Sequence, residues 1–164
     1  MMVNVLPMTK DILAYALLGG LAIGLVVSIY TDIRYRLILN KITLPIALAA
    51  PLYWYATGDL GLSSIGIHLL TAALAFAFFA IWFALGMMGG GDVKLFGALA
   101  LWFAWTEVLI MVLYSSIVGA LVTILFMVIH KYRQGVGRAQ IPYGVAISLV
   151  GLWMVGERFF NHFT

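Results

Sequence analysis

Asp92 stands in the run Gly86-Met87-Met88-Gly89-Gly90-Gly91-Asp92-Val93-Lys94-Leu95, between two long apolar stretches. An ionisable side chain near hydrocarbon is costly to keep without a use, so this acid marks a candidate site. Its counterpart is Asp32, in Tyr30-Thr31-Asp32-Ile33-Arg34, which closes the first apolar stretch. Two carboxyls brought together share a proton. The ionised member then acts as general base on a water, while the protonated member polarises an amide carbonyl and helps the amine leave. Peptide hydrolysis by that route needs no metal, no nucleophilic side chain and no cofactor. The remaining inventory agrees. There is no cysteine, which excludes a disulfide framework, a thiolate metal site and a cysteine nucleophile. His68, His130 and His162 lie far apart and show no ligand spacing, and no serine neighbours a plausible base in the sequence.

The glycines have a physical role beside this acid. Gly89, Gly90 and Gly91 lack Cβ atoms, so the backbone before Asp92 can bend and another chain can approach it closely. A helix opening at Val93 would put Asp92 at the positive end of its macrodipole. Lys94, two residues on, is placed either to retain negative charge locally or to bind a lipid phosphate.

The elements that must position these groups are membrane helices. Of 164 residues, 65% are hydrophobic and 9% charged, and the mean hydropathy of +1.11 lies far outside the soluble range. We expect an all-α polytopic membrane protein forming one transmembrane domain over residues 1–164. No connection between apolar runs exceeds roughly a dozen residues, an ordinary loop, so no separate water-soluble domain fits. Six runs read as transmembrane helices: about Ile12 to Tyr30, Ile42 to Ala56, Ile65 to Leu85, Val93 to Trp105, Val108 to Ile129 and Ile141 to Val155. The first is long for a signal peptide and has no small-x-small cleavage site after it, so it reads as a retained span. Between the fourth and fifth we expect a tight hairpin near Trp105-Thr106-Glu107, with Trp102 and Trp105 at a membrane interface.

Charge then orients the bundle. Arg34, Arg36, Lys41, Lys94, Lys131, Arg133 and Arg138 fall on one side, against Lys10 and Arg158 on the other, so the positive-inside rule places the first group in the cytoplasm and both termini outside. Asp11, Asp59, Glu107 and Glu157 sort to the outer ends. Only Asp32 and Asp92 accompany the cations, at one membrane depth. The basic residues suit anionic lipid headgroups, and nothing points to a nucleic acid.

With these residues in view, the sequence resembles the type IV prepilin peptidases, a family of intramembrane aspartic proteases. Gly89-Gly90-Gly91-Asp92 fits their GxGD signature. Asp32-Ile33-Arg34-Tyr35-Arg36-Leu37-Ile38-Leu39-Asn40 resembles their first catalytic segment, D-x-R-x-x-x-I-P-N, with Leu39 where proline is usual. Ile141-Pro142-Tyr143-Gly144-Val145-Ala146 resembles their third segment, I-P-Y-G-x-A. The three occur in the family's order. The resemblance implies Asp32 and Asp92 as catalytic residues, with Arg34, Asn40, Gly89, Gly90, Gly91, Lys94, Pro142, Tyr143 and Gly144 shaping loops or contacting substrate. It further implies a prepilin or pilin-like protein substrate cut at the cytoplasmic face of the inner membrane. The cysteine-bearing methyltransferase module of larger members has no counterpart here, which points to the short, peptidase-only branch of the tight-adherence (Flp) pili. Oligomeric state is not legible.

Plainer explanations exist for each part. Asp32 alone is compatible with a polar helix end paired to Arg34 or Arg36, and Asp92 with an N-cap. Two other functions use the same acids: a small ion-coupled transporter, which needs them near the midplane, or a non-catalytic pilus-assembly subunit, which tolerates their substitution.

Overall fold

A computed structural model describes residues 5–132 and 142–161. Among the described residues the chain is entirely helical: α1 (Val5–Tyr35), α2 (Asn40–Thr57), α3 (Leu62–Ala84), α4 (Gly90–Ala100), α5 (Trp105–Tyr132) and α6 (Tyr143–Asn161). Arg133, Arg138, Ile141 and His162, singled out above, lie outside the described residues. The six expected runs each became a helix, and the apolar residues explain the exterior as well as the core. Leu70, Leu74, Leu113, Leu121 and Ile124 are among the many large apolar side chains left exposed along α3 and α5. In water such a surface would aggregate, whereas in a bilayer it is the lipid contact, and helices are the elements that satisfy their own backbone there.

Among the described residues four stretches are long and apolar enough to cross a membrane, Thr9–Tyr35, Leu62–Ala84, Trp105–Tyr132 and Tyr143–Phe160, so of the six expected spans α2 and α4 do not qualify. The chain is thus a polytopic α-helical membrane protein. α4 departs from expectation. Its 11 residues give roughly 16 Å at 1.5 Å per residue, about half the hydrocarbon thickness, so the 101–104 turn has to complete the passage to the end where Trp102 meets Arg158. The helix itself is a buried plug. From Asp92 to Ala100 every residue except Lys94 is buried or nearly so, and α2, α3 and α6 pack around it. Phe96, Leu95 and Leu99 meet Leu25 of α1 and Ile147 of α6 in one core.

The turn after α4 lies over residues 101–104, earlier than the hairpin expected near Trp105-Thr106-Glu107. Trp102 is responsible. It is not at an interface but 2% exposed, and its indole N–H donates to the Ile46 carbonyl at 2.9 Å. Trp54 returns the contact, donating to the Leu101 carbonyl at 2.9 Å. Trp105, by contrast, is exposed.

Arg158 closes this end of the bundle. Its guanidinium donates to the Tyr53 hydroxyl at 3.1 Å, to the Trp102 carbonyl at 2.9 Å and to Glu107. Glu107 in turn accepts the Ala104 N–H at 2.7 Å, capping α5. One cation thus ties α2, the 101–104 turn, α5 and α6 together. Arg158→Ala should lower stability by about 2 kcal/mol, because Glu107 loses a charge-assisted partner and a carbonyl is stranded. Thermal unfolding in detergent reads this directly, and an unshifted midpoint would show that the cluster holds nothing together.

Candidate active site

Asp32 lies one turn before the end of α1, and Asp92 lies in the first turn of α4. Both are buried, at 5% and 7% exposure. The feature that unites them is Gly144, at the start of α6. A Cβ placed on Gly144 would stand 2.8 Å from Asp32 Oδ2 and 3.0 Å from Asp92 Oδ1. The two carboxylate oxygens can therefore be no further apart than those two lengths laid end to end. Any side chain at this position would occupy the space between the acids, and it would also strike Ile38 Cδ1.

Backbone donors fix each carboxyl. The Val145 N–H donates to Asp32 Oδ2 at 3.0 Å, so the first turn of α6 holds an acid carried by α1. The Gly89 N–H donates to Asp92 Oδ2 at 3.2 Å, a bond from the residue preceding α4 to the third residue of its first turn. Asp92 is thus inside the helix rather than ahead of it, because the helix opens at Gly90 instead of Val93. Gly91 provides the close approach. Its missing Cβ would meet Ile38 Cβ at 3.0 Å and the Ile38 carbonyl oxygen at 3.2 Å. Gly90 likewise lies against Phe83, its own missing Cβ 3.2 Å from that ring. None of these three has a positive φ. The left-handed residue of the loop is Gly86, at φ 70°, and it carries the chain reversal after α3.

The carboxyls border a cavity of about 520 Å³ lined by Asp32, Arg36, Ile38, residues 86–92 and Tyr143. Arg36, expected among the membrane-orienting cations or as a helix-end partner of Asp32, also lines this cavity. Its φ of 54° is unusual for a residue with a Cβ, and it turns the chain at the end of α1 while its N–H still donates to the Asp32 carbonyl at 3.0 Å. The guanidinium stacks 4.6 Å over the Phe126 ring, and its Nη1 is buried without a partner.

The remaining candidates divide. Pro142 is buried and Tyr143 lines the cavity. Arg34 is exposed and lies over Tyr35. Lys94 and Asn40 hydrogen-bond to each other at 3.1 Å, but they border a different cavity, between α2, α3 and α4, that neither aspartate lines. Lys94→Gln should therefore leave any activity of the carboxyl pair within about twofold, as for other exposed positions; a loss of tenfold would bring Lys94 into the reaction.

The structure also assembles a serine beside an acid, which the sequence spacing did not reveal. At the opposite end of the bundle Ser64 donates to Asp59, and His68 Nε2 lies 2.9 Å from the other Asp59 oxygen. These two bonds hold the Asp59 carboxyl below the usual carboxylate range. The carboxylate stands between the hydroxyl and the imidazole, however, so the histidine is not placed to take the serine proton. His68 is instead buried and stacked on Trp54, with centroids 5.1 Å apart. Among the described residues no cluster of three or more histidine, aspartate or glutamate side chains is placed to hold a metal.

The comparison with known proteins agrees with the motifs. The type IV leader peptidase family matches residues 19–124. The chain is 31% identical over 124 residues to the prepilin leader peptidase/N-methyltransferase of Aeromonas hydrophila, covering 69% of this chain and 41% of that protein. The same figures hold for the Aeromonas salmonicida (strain A449) protein of that name. The Legionella pneumophila prepilin leader peptidase/N-methyltransferase is 28% identical over 148 residues, covering 80% of this chain and 47% of its own length. The chain spans less than half the length of these relatives. No solved structure matches it. A family match over most of the chain, together with two buried aspartates that converge on one glycine, leads to one assignment: the chain belongs to the type IV leader peptidase family.

Proposed function

We propose that the chain is an intramembrane aspartic endopeptidase that removes the leader peptide of prepilins or pilin-like proteins, with Asp32 and Asp92 as its catalytic pair. The observation that carries the reading is the convergence of both carboxyls on Gly144 at the rim of a cavity that both of them line. A water held between the acids loses a proton to the ionised carboxylate as its oxygen attacks the scissile carbonyl carbon. The protonated partner donates to the carbonyl oxygen, giving a tetrahedral diol. Collapse of the diol breaks the C–N bond: the proton taken from water passes to the departing amine, and one diol hydroxyl returns its proton to the carboxylate that had protonated the carbonyl, restoring the shared proton. The products are a leader ending in a carboxyl group and a mature protein with a free amine. The pair titrates as a unit, so the two roles belong to the dyad rather than to either acid.

Orientation follows from charge. Arg34, Arg36, Lys41 and Lys94 lie at the aspartate end of the bundle, whereas Arg158 closes the other, which supports a cytoplasmic-facing site in the inner membrane and termini outside. An ion-coupled carrier would instead hold its acids at the midplane with access from both sides. The six helices pack as one unit around the site, and we read them as a single peptidase domain. Within the substrate class, we propose the Flp type as the prepilin to try first.

Co-expression with candidate prepilins, an Flp-type prepilin among them, tests the proposal. The expected result is a mobility shift with a single cut located by mass spectrometry, unchanged by EDTA and by thiol alkylation. Cleavage that stops on chelation, or no cleavage of any prepilin, would count decisively against it.

A further inference from the structure

A second cavity, of about 310 Å³, runs between α3 and α5 at membrane depth, lined mainly by Phe78, Trp82, Phe96, Val112 and Ile147. It shares Met87, Met88 and Tyr143 with the aspartate cavity, so the two adjoin across those side chains. We propose that this groove is where the membrane-embedded part of the substrate seats, as an apolar helix running from the scissile bond along the face between α3 and α5. The inference rests on the peptidase reading and adds the side from which substrate arrives.

Three observations carry it. α3 and α5 touch only lightly, whereas α1 packs closely on α2 and α6, and α5 on α6. A helix arriving from lipid can thus reach the acids between α3 and α5 without unpacking the core. The groove's lining is aromatic and aliphatic, and a chain segment lying against it in lipid must satisfy its own backbone, which makes a helix the form that fits. Its volume accommodates the side chains along one face of such a helix. On its α5 wall, Ser115 is 8% exposed and its hydroxyl has no partner, while Ser116 and Ala120 keep the wall low enough for close approach. Met87 and Met88, at the threshold, are unbranched side chains that adapt to what passes. Tyr143, which also packs beside Gly119 of α5, stands between groove and carboxyls.

The test pairs cleavage with cross-linking. Ala120→Trp fills the groove and should cut prepilin cleavage by at least about tenfold, the scale of a misplaced substrate. Leu121→Trp, on the lipid face of the same helix, should stay within about twofold of wild type. In the Asp92→Asn background, a photoreactive residue at Val112 or Ser116 should form adducts with the prepilin's apolar segment, and one at Leu125 should not. If wild type cleaves but the two tryptophan variants behave alike, or the Val112 and Ser116 adducts fall outside that segment, the groove is not the seat and the peptidase reading stands. A wild type that leaves every prepilin uncut removes both.

Discussion

Asp32→Asn and Asp92→Asn should each lower leader cleavage by roughly 10³-fold, within the range that general acid–base groups contribute. An amide in either position cannot take a proton from water or return one to an amine, and the other acid cannot perform both transfers alone. The substitutions are nearly isosteric. In each variant the amide oxygen of the new asparagine would still accept the backbone N–H that the aspartate accepts, from Val145 in the first case and from Gly89 in the second. The bundle should therefore insert and accumulate normally. Loss of activity with unchanged accumulation and melting is the expected pattern. Appreciable processing by either purified variant would end the two-acid mechanism. A double variant that loses no more than either single one would also show that the acids act as one unit, since groups that share a proton do not contribute additively.

Gly144→Ala should lower cleavage by about 10²-fold, the scale expected when reacting groups are displaced by about an ångström. The added methyl would sit within 3.0 Å of oxygens of both aspartates and closer still to Ile38, so either the carboxyls splay or α6 withdraws and takes the Val145 N–H with it. Alanine is the better helix former, by about 1 kcal/mol in a helix interior, so intrinsic propensity does not weaken α6. Activity and stability are thus expected to separate. Parallel melting curves and cleavage rates in one detergent make the comparison. An alanine variant as fast as wild type would mean that the acids are not held as close as the backbone of α6 implies.

Much of the fold was legible because lipid is a demanding solvent. The long apolar runs had no alternative to helix: α2, α3 and α5 begin and end within three residues of where hydropathy placed them, and α1 and α6 run several residues further. α4 was the exception for a reason composition hides. Trp102 looks the same to a hydropathy reading whether it rests at an interface or donates to the Ile46 carbonyl inside the bundle. The acids were legible from cost alone, and Gly144 from its motif. Arg36 was not. Its role at the cavity depends on a left-handed turn at the end of α1, and a cation beside a span is ordinarily read as a topology signal. Lys94 shows the converse: it follows Asp92 by two residues, yet a helix points those positions apart, and it faces Asn40. Ser64, Asp59 and His68 came together because a left-handed Gly58 ends α2 and folds the chain back, a reversal that spacing does not disclose.

The N–H that holds Asp32 belongs to α6 and leaves the ribosome 113 residues after the acid it fixes. A chain synthesised only as far as α5 already carries both carboxyls, yet it has no means of keeping them opposed. On the peptidase reading, the pair would therefore be complete only once the sixth helix has docked.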